Sequence, residues 1–373
     1  MADAKAKFGA PSKVPAWVNL ALIPFLNLLA AFFISGLVIL VVGDNPLKAL
    51  EVLFYGAFGY PEAVGYTLYY TTNFIFTGLA VAIAFHCGLF NIGAEGQAFI
   101  AGLGVGLAAL YLDFLPFWAI IPISIFSAAL FGGAWAYIPA YLQAKRGSHI
   151  VITTIMFNFI AFSVMNYILV EVLISPDAGG SPETREFGEN TWLAYAPDFT
   201  GMSESPLNFS FLIALGLSAA FYYFVWHTRW GYEIRVVGEN ETAARYSGIS
   251  VSRNIILAMV ISGALAGFVA VNELLGVHHK VIMDFTGGYG FVGIAVALMG
   301  RNHPVGIFMA ALLFGAIYQG GTELAFEMNT INKEMVIVIQ GLIILFSGAL
   351  ENMFRPKIED FFRRRPSART AEV

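Results

Sequence analysis

The chain has 373 residues, of which 58% are hydrophobic and only 12% charged, and its mean hydropathy is +0.72. A soluble chain usually carries about twice that charged share, so the composition excludes a set of soluble domains and predicts an all-α integral membrane protein. The net charge of −5 gives no indication of a nucleic-acid-binding surface, and the single cysteine, Cys87, excludes a disulfide framework.

Apolar stretches predict the membrane-spanning helices, because a spanning helix needs about 20 mostly apolar residues. We place about ten of them, at 17–42, 64–86, 97–112, 117–142, 150–174, 209–227, 254–276, 287–300, 304–321 and 334–350. The third and eighth are short and adjoin Gly-rich or polar stretches, as broken or re-entrant helices do. The chain then consists of an N-terminal segment (1–16), a transmembrane domain (17–352) and a basic tail (353–373).

The basic residues predict the orientation, because loops rich in Lys and Arg stay on the cytoplasmic side. With the N-terminus inside, 16 of the 20 Lys and Arg residues fall in cytoplasmic segments, and only Lys48, Arg185, Lys280 and Lys333 fall outside. Both termini are therefore predicted to be cytoplasmic, and the basic tail is expected to lie beside anionic lipid.

Two loops are longer than the others. Loop 175–208, predicted to lie outside, is acidic and holds four prolines, so we expect a stiff, irregular cap. Loop 228–253, predicted to be cytoplasmic, holds four arginines and a helix-like centre. There Asn240 is a good N-cap, Glu241 lies in the first turn and Gly248 ends the helix. Residue chemistry alone fits a surface helix along the lipid interface, and it also fits a docking helix for a soluble partner.

The segment 91–97 is polar and lies between two apolar stretches. No Lys or Arg occurs between Lys48 and Lys145, so Glu95 has no basic partner nearby in the sequence. One interpretation is a broken helix that lines a polar pathway, with Asn91, Glu95 and Gln97 facing it. The other is an ordinary cytoplasmic turn with Glu95 near the N-terminal dipole of the next helix.

Further polar residues lie inside predicted spans, among them Asn158 and Asn272, which either bridge helices or face the same pathway. Glu273 lies late in its span, where we expect it to be solvated. His278 and His279 are adjacent and have no third ligand, so a metal site is not expected. The chain shows no nucleophile elbow, zinc-protease motif or Walker lysine, so we predict no catalytic residues and no cofactor of its own.

Five segments in order resemble the permease subunits of bacterial ABC importers of the branched-chain amino acid and ribose type, and more closely the nucleoside-import branch. They are 88–97 (GLFNIGAEGQ), 151–158 (VITTIMFN), 235–249 (RVVGENETAARYSGI), 262–267 (SGALAG) and 293–302 (GIAVALMGRN).

The resemblance implies a cytoplasmic coupling helix that fits a groove on an ATPase subunit, which overturns the lipid-interface interpretation of loop 228–253. The residues concerned are Gly238, Glu239, Asn240, Glu241, Ala243, Ala244, Arg245, Tyr246 and Gly248. The implied location is the bacterial inner membrane. The implied partners are an ABC ATPase that binds ATP and Mg²⁺, a second homologous permease in a heterodimer, and an extracytoplasmic solute-binding protein or lipoprotein.

The resemblance predicts a transport subunit rather than an enzyme, with nucleosides as the solute. A permease for ribose-like sugars or other small polar solutes is the nearest alternative. A secondary transporter or channel that works without ATP is an alternative of a different class, and it leaves the docking-like helix unexplained.

Overall fold

The computed structural model describes residues 23–176, 179–197, 200–202, 204–328, 330–331, 335–342 and 345. Within these ranges the regular structure is helical, with two isolated bridges, Glu183 to Ile282 and Tyr195 to Asn208, as the only β-type pairings. The predicted all-α class is confirmed. The N-terminal segment 1–16 and the basic tail 353–373 lie outside the described residues.

Most of the helices follow one another with short connections, and the long loop between α6 and α7 is the exception. They are α1 (Ile23–Val42), α2 (Pro46–Phe58), α3 (Pro61–His86), α4 (Ala94–Tyr111), α5 (Phe117–Arg146), α6 (Ile150–Glu171), α7 (Ser210–His227), α8 (Arg229–Glu239), α9 (Glu241–Tyr246), α10 (Val251–Ala266), α11 (Phe268–Ala270), α12 (Tyr289–Met299) and α13 (Pro304–Glu327). A π-helical segment, Val271–His278, continues α11, and residues 335–342 are also helical.

Seven of the described helices are long and apolar enough to span a membrane, which makes the chain a multi-pass membrane protein. They are α3, α4, α5, α6, α7, the continuous stretch Val251–His278 and α13. Leu29–Val42 and Pro46–Phe58 form a further pair, bent by 119°, that would count as an eighth span. The count of about ten is therefore not confirmed.

The differences from the predicted spans have local causes. The eighth prediction, 287–300, is the 11-residue α12, which is too short to cross a bilayer alone. The third, 97–112, begins earlier than predicted, at Ala94, and is long enough to span. The amphipathic α2 was not predicted, because Lys48 and Glu51 interrupt its apolar pattern. The tenth, 334–350, lies only partly within the described residues.

The long α5 shows how these helices end. It holds Pro122 and Pro139 in its interior, and its last turn carries Lys145 and Arg146. Gly147 follows in a left-handed conformation (φ +71°), and its amide bonds back to the Leu142 carbonyl. Glycine adopts this conformation without the steric cost that a side chain brings, so the helix stops here.

One of the two compact units of the chain comprises Val52–Glu323. Its centre is formed by α3, α4 and the stretch Val251–His278, which are mostly buried, whereas most residues of α5, α6 and α7 are not buried. Small residues allow the close packing: a β-carbon on Gly132 of α5 would overlap the Gly263 carbonyl oxygen of α10. Such close approach at small residues is typical of membrane helices.

The other unit comprises Met1–Glu51 and Leu324–Val373. Its described part contains α1, which ends at a turn where Gly43 has φ +97°. The Asn45 side chain accepts a hydrogen bond from the Leu47 amide (2.9 Å) and so caps the start of α2. The Thr330 hydroxyl contacts the Asp44 carboxylate.

Loop 175–208 lies over one end of the stretch Val251–His278. Backbone hydrogen bonds join Thr184 to Val281 (3.0 Å), Phe187 to His279 (2.7 Å) and Leu193 to Leu275 (2.9 Å). The His279 ring stacks on the Trp192 indole at 4.0 Å, and its burial lowers the pKa of His279. The described part of the loop is thus an irregular cap, fastened by main-chain bonds rather than by a sheet.

Candidate functional site

The centre of loop 228–253 is a short helix, as the sequence predicts. Asn240 ends α8 and begins α9, and its side-chain oxygen accepts a hydrogen bond from the Ala243 amide (3.0 Å). After Tyr246 the chain turns back: the Ile249 amide bonds to the Ala244 carbonyl (2.9 Å), and Gly248 has φ +77°. The helix is therefore specified at both ends by the residues that the sequence singles out.

The six-residue α9 protrudes from the protein. Of its residues only Ala244 is buried, and the Tyr246 side chain is 90% exposed. Glu241 and Arg245 form an exposed ion pair (3.6 Å), which contributes roughly 0.3–0.5 kcal/mol. A short, capped helix with a solvent-exposed aromatic side chain is suited to docking a partner, since aromatic residues dominate binding energy at protein interfaces.

The preceding helix, α8, connects α9 to the membrane helices. Its residues Ile234 and Val237 are buried, and Thr228 caps its first turn through the Gly231 amide (3.1 Å). Arg229 donates a hydrogen bond to Glu233 (2.8 Å), which holds the pKa of that carboxyl group below its ordinary value. Asn254 of α10 also donates to Glu233 (3.4 Å), so α8 is tied to a membrane-spanning helix.

Near Asn91 the structure has a non-helical connection between two candidate spans, which fits both the helix break and the ordinary turn that the sequence left open. The helix α3 ends at His86, α4 begins at Ala94, and residues 87–93 between them are not helical. Asn91 is fully buried and donates to Gln97 (3.1 Å) and to Ser262 of α10 (2.8 Å), while its oxygen accepts from the Gly93 amide (2.8 Å). The Asn91 oxygen thus pairs one amide of the non-helical backbone, and Gln97 holds the Asn91 side chain in place.

Asn158 of α6 supports the same break from the other side. Its oxygen accepts from the Gly96 amide (2.9 Å), and its nitrogen donates to the Ile92 carbonyl (2.9 Å). One amide side chain therefore satisfies a donor and an acceptor of the irregular segment. The structure brings together four of the five predicted pathway residues, Asn91, Glu95, Gln97 and Asn158, around one break.

Glu95 lies in the first turn of α4 and is only 7% exposed. Its carboxylate accepts hydrogen bonds from the Gly288 amide (3.0 Å), the Gly290 amide (2.7 Å) and the Thr286 hydroxyl. Gly288 and Gly290 open α12, so the negative charge lies at the N-termini of two helices. Helix N-termini carry partial positive charge and unpaired amides, which explains why this carboxylate needs no Lys or Arg.

Asn272 belongs to a second network, which the sequence only partly indicates. Its nitrogen donates to Asn73 of α3 (3.0 Å), and its oxygen accepts from Asn208 (2.9 Å). Asn73 donates in turn to Glu273 (2.6 Å), which also accepts from the Tyr69 hydroxyl (2.6 Å). Asn272 is thus separated from the residues around the break.

The expectation that Glu273 is solvated is wrong: it is 2% exposed, and His278 lies 3.5 Å away. Glu273 lies in the π-helical stretch after Ala270, and its carboxylate bonds to Tyr69 and Asn73 of α3. Tyr69 and Asn73, four residues apart on one face of α3, are the residues that sequence reasoning missed. Their four-residue spacing, which places both on one face of a helix, was the available signal.

Aromatic side chains pack beside this network. Tyr289 lies 5.6 Å from Phe74 and 6.4 Å from Tyr70, and Tyr318 lies 4.9 Å from Phe74, all as ring centroids in tilted or edge-on arrangements. Three helices, α3, α12 and α13, therefore meet through aromatic contacts. Among the described residues, no group of His, Cys, Asp and Glu side chains could hold a metal ion.

Comparisons with known proteins agree with a multi-pass membrane protein. The family model described as the permease component of branched-chain amino acid transport systems matches residues 63–348. The chain is 35% identical to a guanosine ABC transporter permease protein of Bacillus subtilis, over 87% of this chain and 92% of the relative. It is 32% identical to a nucleoside ABC transporter permease protein of Lactococcus lactis (87% and 90%). It is 31% identical to a glucose ABC transporter permease protein of Haloferax volcanii (96% and 95%).

Proposed function

We propose a function from one premise: the chain belongs to the family of permease components of branched-chain amino acid transport systems, whose model matches most of its length. It is a transport subunit and not an enzyme. In our proposal it is the membrane permease of an ABC importer, it provides the solute pathway for nucleosides, and a separate ATPase subunit binds ATP and Mg²⁺ and hydrolyses the ATP.

The observation that carries the solute assignment is the pair of relatives, named for guanosine and for nucleosides, that match nearly the whole chain. The relative named for glucose matches more of the chain, 96% against 87%, at a lower identity of 31%, so a sugar permease is the second candidate. A secondary transporter or channel is not favoured, because it would have no use for a protruding, capped α9.

We propose that α9 and its flanks dock the ATPase subunit. The residues are Gly238, Glu239, Asn240, Glu241, Ala243, Ala244, Arg245, Tyr246 and Gly248. Closure of two ATPase subunits around ATP would draw two such loops together and tilt the attached helices, so that the pathway opens alternately to the two sides. In this arrangement Tyr246 is the side chain best placed to enter a groove on the ATPase, because it is the most exposed aromatic residue of the loop.

The solute pathway is proposed to follow the helix break. Asn91, Glu95, Gln97 and Asn158 are the proposed lining residues around the break, and Asn272, in the separate second network, is proposed as a further lining residue. The non-helical segment joins two candidate spans and carries buried polar side chains, which supports a polar lining here. Nucleosides would need polar groups for the ribose hydroxyls and aromatic faces for the base.

The remaining partners follow from the same premise. We propose a second, homologous permease that completes the pathway as a heterodimer. An extracytoplasmic binding protein or lipoprotein would deliver the solute to loop 175–208. The complex would lie in the inner membrane of a bacterium, in contact with its lipid. Both chain termini would lie in the cytoplasm.

Uptake of radiolabelled guanosine tests the solute assignment. Cells that express the chain with its native partners should take up guanosine, and excess unlabelled nucleosides should suppress this uptake while glucose and ribose do not. Suppression by glucose or ribose alone would favour the sugar permease. A matched pair of variants tests docking: Glu241→Arg should reduce recovery of the ATPase with the tagged chain, whereas Glu189→Arg, in loop 175–208, should not. Equal recovery would contradict the coupling assignment.

A further inference from the structure

The coupling loop and the helix break touch through two glycines. Gly238, at the end of α8, lies against Gly88, the second residue after α3. A β-carbon on Gly238 would overlap the His86 carbonyl oxygen and lie 2.8 Å from the Gly88 amide nitrogen. A β-carbon on Gly88 would lie 3.2 Å from the α-carbon of Gly238. The contact is therefore between two main chains, with no flexible side chain between them.

On one side of this contact, Gly238 moves with α9. Asn240 closes α8, since its amide bonds to the Val236 carbonyl (3.0 Å), and it caps α9 through the Ala243 amide. Only Glu239 separates Gly238 from this shared capping residue. A displacement of α9 therefore acts on Gly238 through one turn of hydrogen-bonded backbone.

On the other side, Gly88 opens the non-helical segment that leads to α4. Asn91 ties this segment to Ser262, and Ser262 in turn donates to the Ala80 carbonyl of α3. Asn158 ties it to α6, and Glu95, at the start of α4, holds the first residues of α12. A displacement of Gly88 therefore reaches four membrane helices through hydrogen bonds that are already formed.

We propose that the Gly88–Gly238 contact transmits movement of the ATPase-docking helix to the helix break, with both glycines as positioning residues for ATP-coupled transport. The inference rests on the proposed function, because it takes α9 to be the docking element. Glycine is required at both positions because a methyl group would push the two main chains apart. The direct contact between the backbone of α8 and the backbone after α3 would then be lost. Without this contact, α9 could move without displacing the helix break.

The variant Gly238→Ala tests the proposal, with Gly216→Ala as the matched control. Gly216 lies in the exposed part of α7, where an added β-carbon meets nothing within 4 Å. In the purified complex, Gly238→Ala is measured for ATPase recovery, ATP hydrolysis and guanosine uptake, and its uptake is normalised to the ATP hydrolysed because Gly238 also belongs to the proposed docking residues. It should lose guanosine uptake per ATP hydrolysed by about two- to thirty-fold, the range typical of substitutions that alter coupling between sites. Gly216→Ala should match the unmodified complex in all three measurements.

Cys87 provides a second readout that does not depend on a variant. It is the only cysteine of the chain, adjoins Gly88, and is 3% exposed. Burial, with a contribution from the nearby Glu241, raises the pKa of Cys87 to about 12, so the thiol should react slowly with maleimide at neutral pH. If α9 moves the break, the labelling rate of Cys87 should change when a non-hydrolysable ATP analogue binds the complex.

The possible outcomes separate this inference from the proposed function. If the unmodified chain brings no ATPase, the proposed function fails. If the ATPase is present but Gly238→Ala transports with unchanged coupling, only the transmission through the glycines is wrong. If Gly238→Ala does not accumulate, Cys87 labelling of the unmodified complex decides: a rate that is the same with and without the ATP analogue overturns the proposal, and a changed rate supports it.

Discussion

Replacement of Glu95 distinguishes a structural carboxylate from one that meets the solute. Three donors point at this side chain: two amides at the start of α12 and the Thr286 hydroxyl. Glu95→Ala leaves all three unpaired, at about 1–3 kcal/mol for each buried group. Water that enters the vacated space offsets part of that sum, so we expect a destabilisation near its lower end, about 3 kcal/mol.

Glu95→Gln should be milder. One oxygen remains to accept from Thr286 and Gly288, and only the Gly290 amide then faces an NH₂ group, at a cost of about 1–3 kcal/mol. The apparent midpoint of thermal unfolding in detergent should therefore fall in the order unmodified, Glu95→Gln, Glu95→Ala. Glu189→Ala, at an exposed position, is the control and should leave the midpoint unchanged.

Guanosine uptake by the same variants completes the test. If Glu95 acts through the start of α12, uptake should fall in step with the unfolding midpoint. Loss of uptake by Glu95→Ala at an unchanged midpoint would refute the helix-capping argument. The carboxylate would then be a group of the pathway itself.

Three further predictions concern the other contacts. Asn158→Ala should lower the unfolding midpoint, because it leaves the Gly96 amide and the Ile92 carbonyl unpaired. The control Asn166→Ala, at an exposed position of the same helix, should not lower it. Equal midpoints for the two variants would contradict the role of Asn158 in the break. Tyr69→Phe removes a hydrogen-bond donor to the buried Glu273 and should destabilise the protein by about 1.5–3 kcal/mol in the same assay. An unchanged midpoint would show that the hydrogen bond from Asn73 is enough to stabilise Glu273. Tyr246→Ala should reduce ATPase recovery with no change in the midpoint, because this side chain is 90% exposed, and undiminished recovery would remove Tyr246 from the interface.

The sequence predicted the helical class and the α9 helix because both depend on local signals. A long apolar run indicates a membrane helix wherever it packs, and Asn240 and Gly248 act on backbone groups within a few residues. The polar segment 91–97 was left open between a helix break and an ordinary turn, and in the structure residues 87–93 are non-helical while 94–97 form the first turn of α4. The amphipathic α2 was missed because its charged residues lower the mean hydropathy of the segment.

The partners of the buried polar groups could not be predicted from one sequence. Glu95 and Gly290 are far apart in the chain, and Tyr69 and Glu273 are equally distant. Their pairing depends on which helices are neighbours. The burial of Glu273 has the same origin, because its carboxylate is covered by its partners on α3. The contact of Gly88 with Gly238 likewise appears only once α8 is folded against the end of α3.

The dependence of transport on ATP tests the central claim most directly. The tagged chain, purified with its partners and reconstituted in liposomes with the binding protein outside, should accumulate guanosine only when ATP and Mg²⁺ are enclosed within. ADP, or ATP without the ATPase subunit, should give no accumulation. Guanosine uptake by the chain alone, in liposomes free of ATP, would contradict the account and identify a secondary transporter or channel.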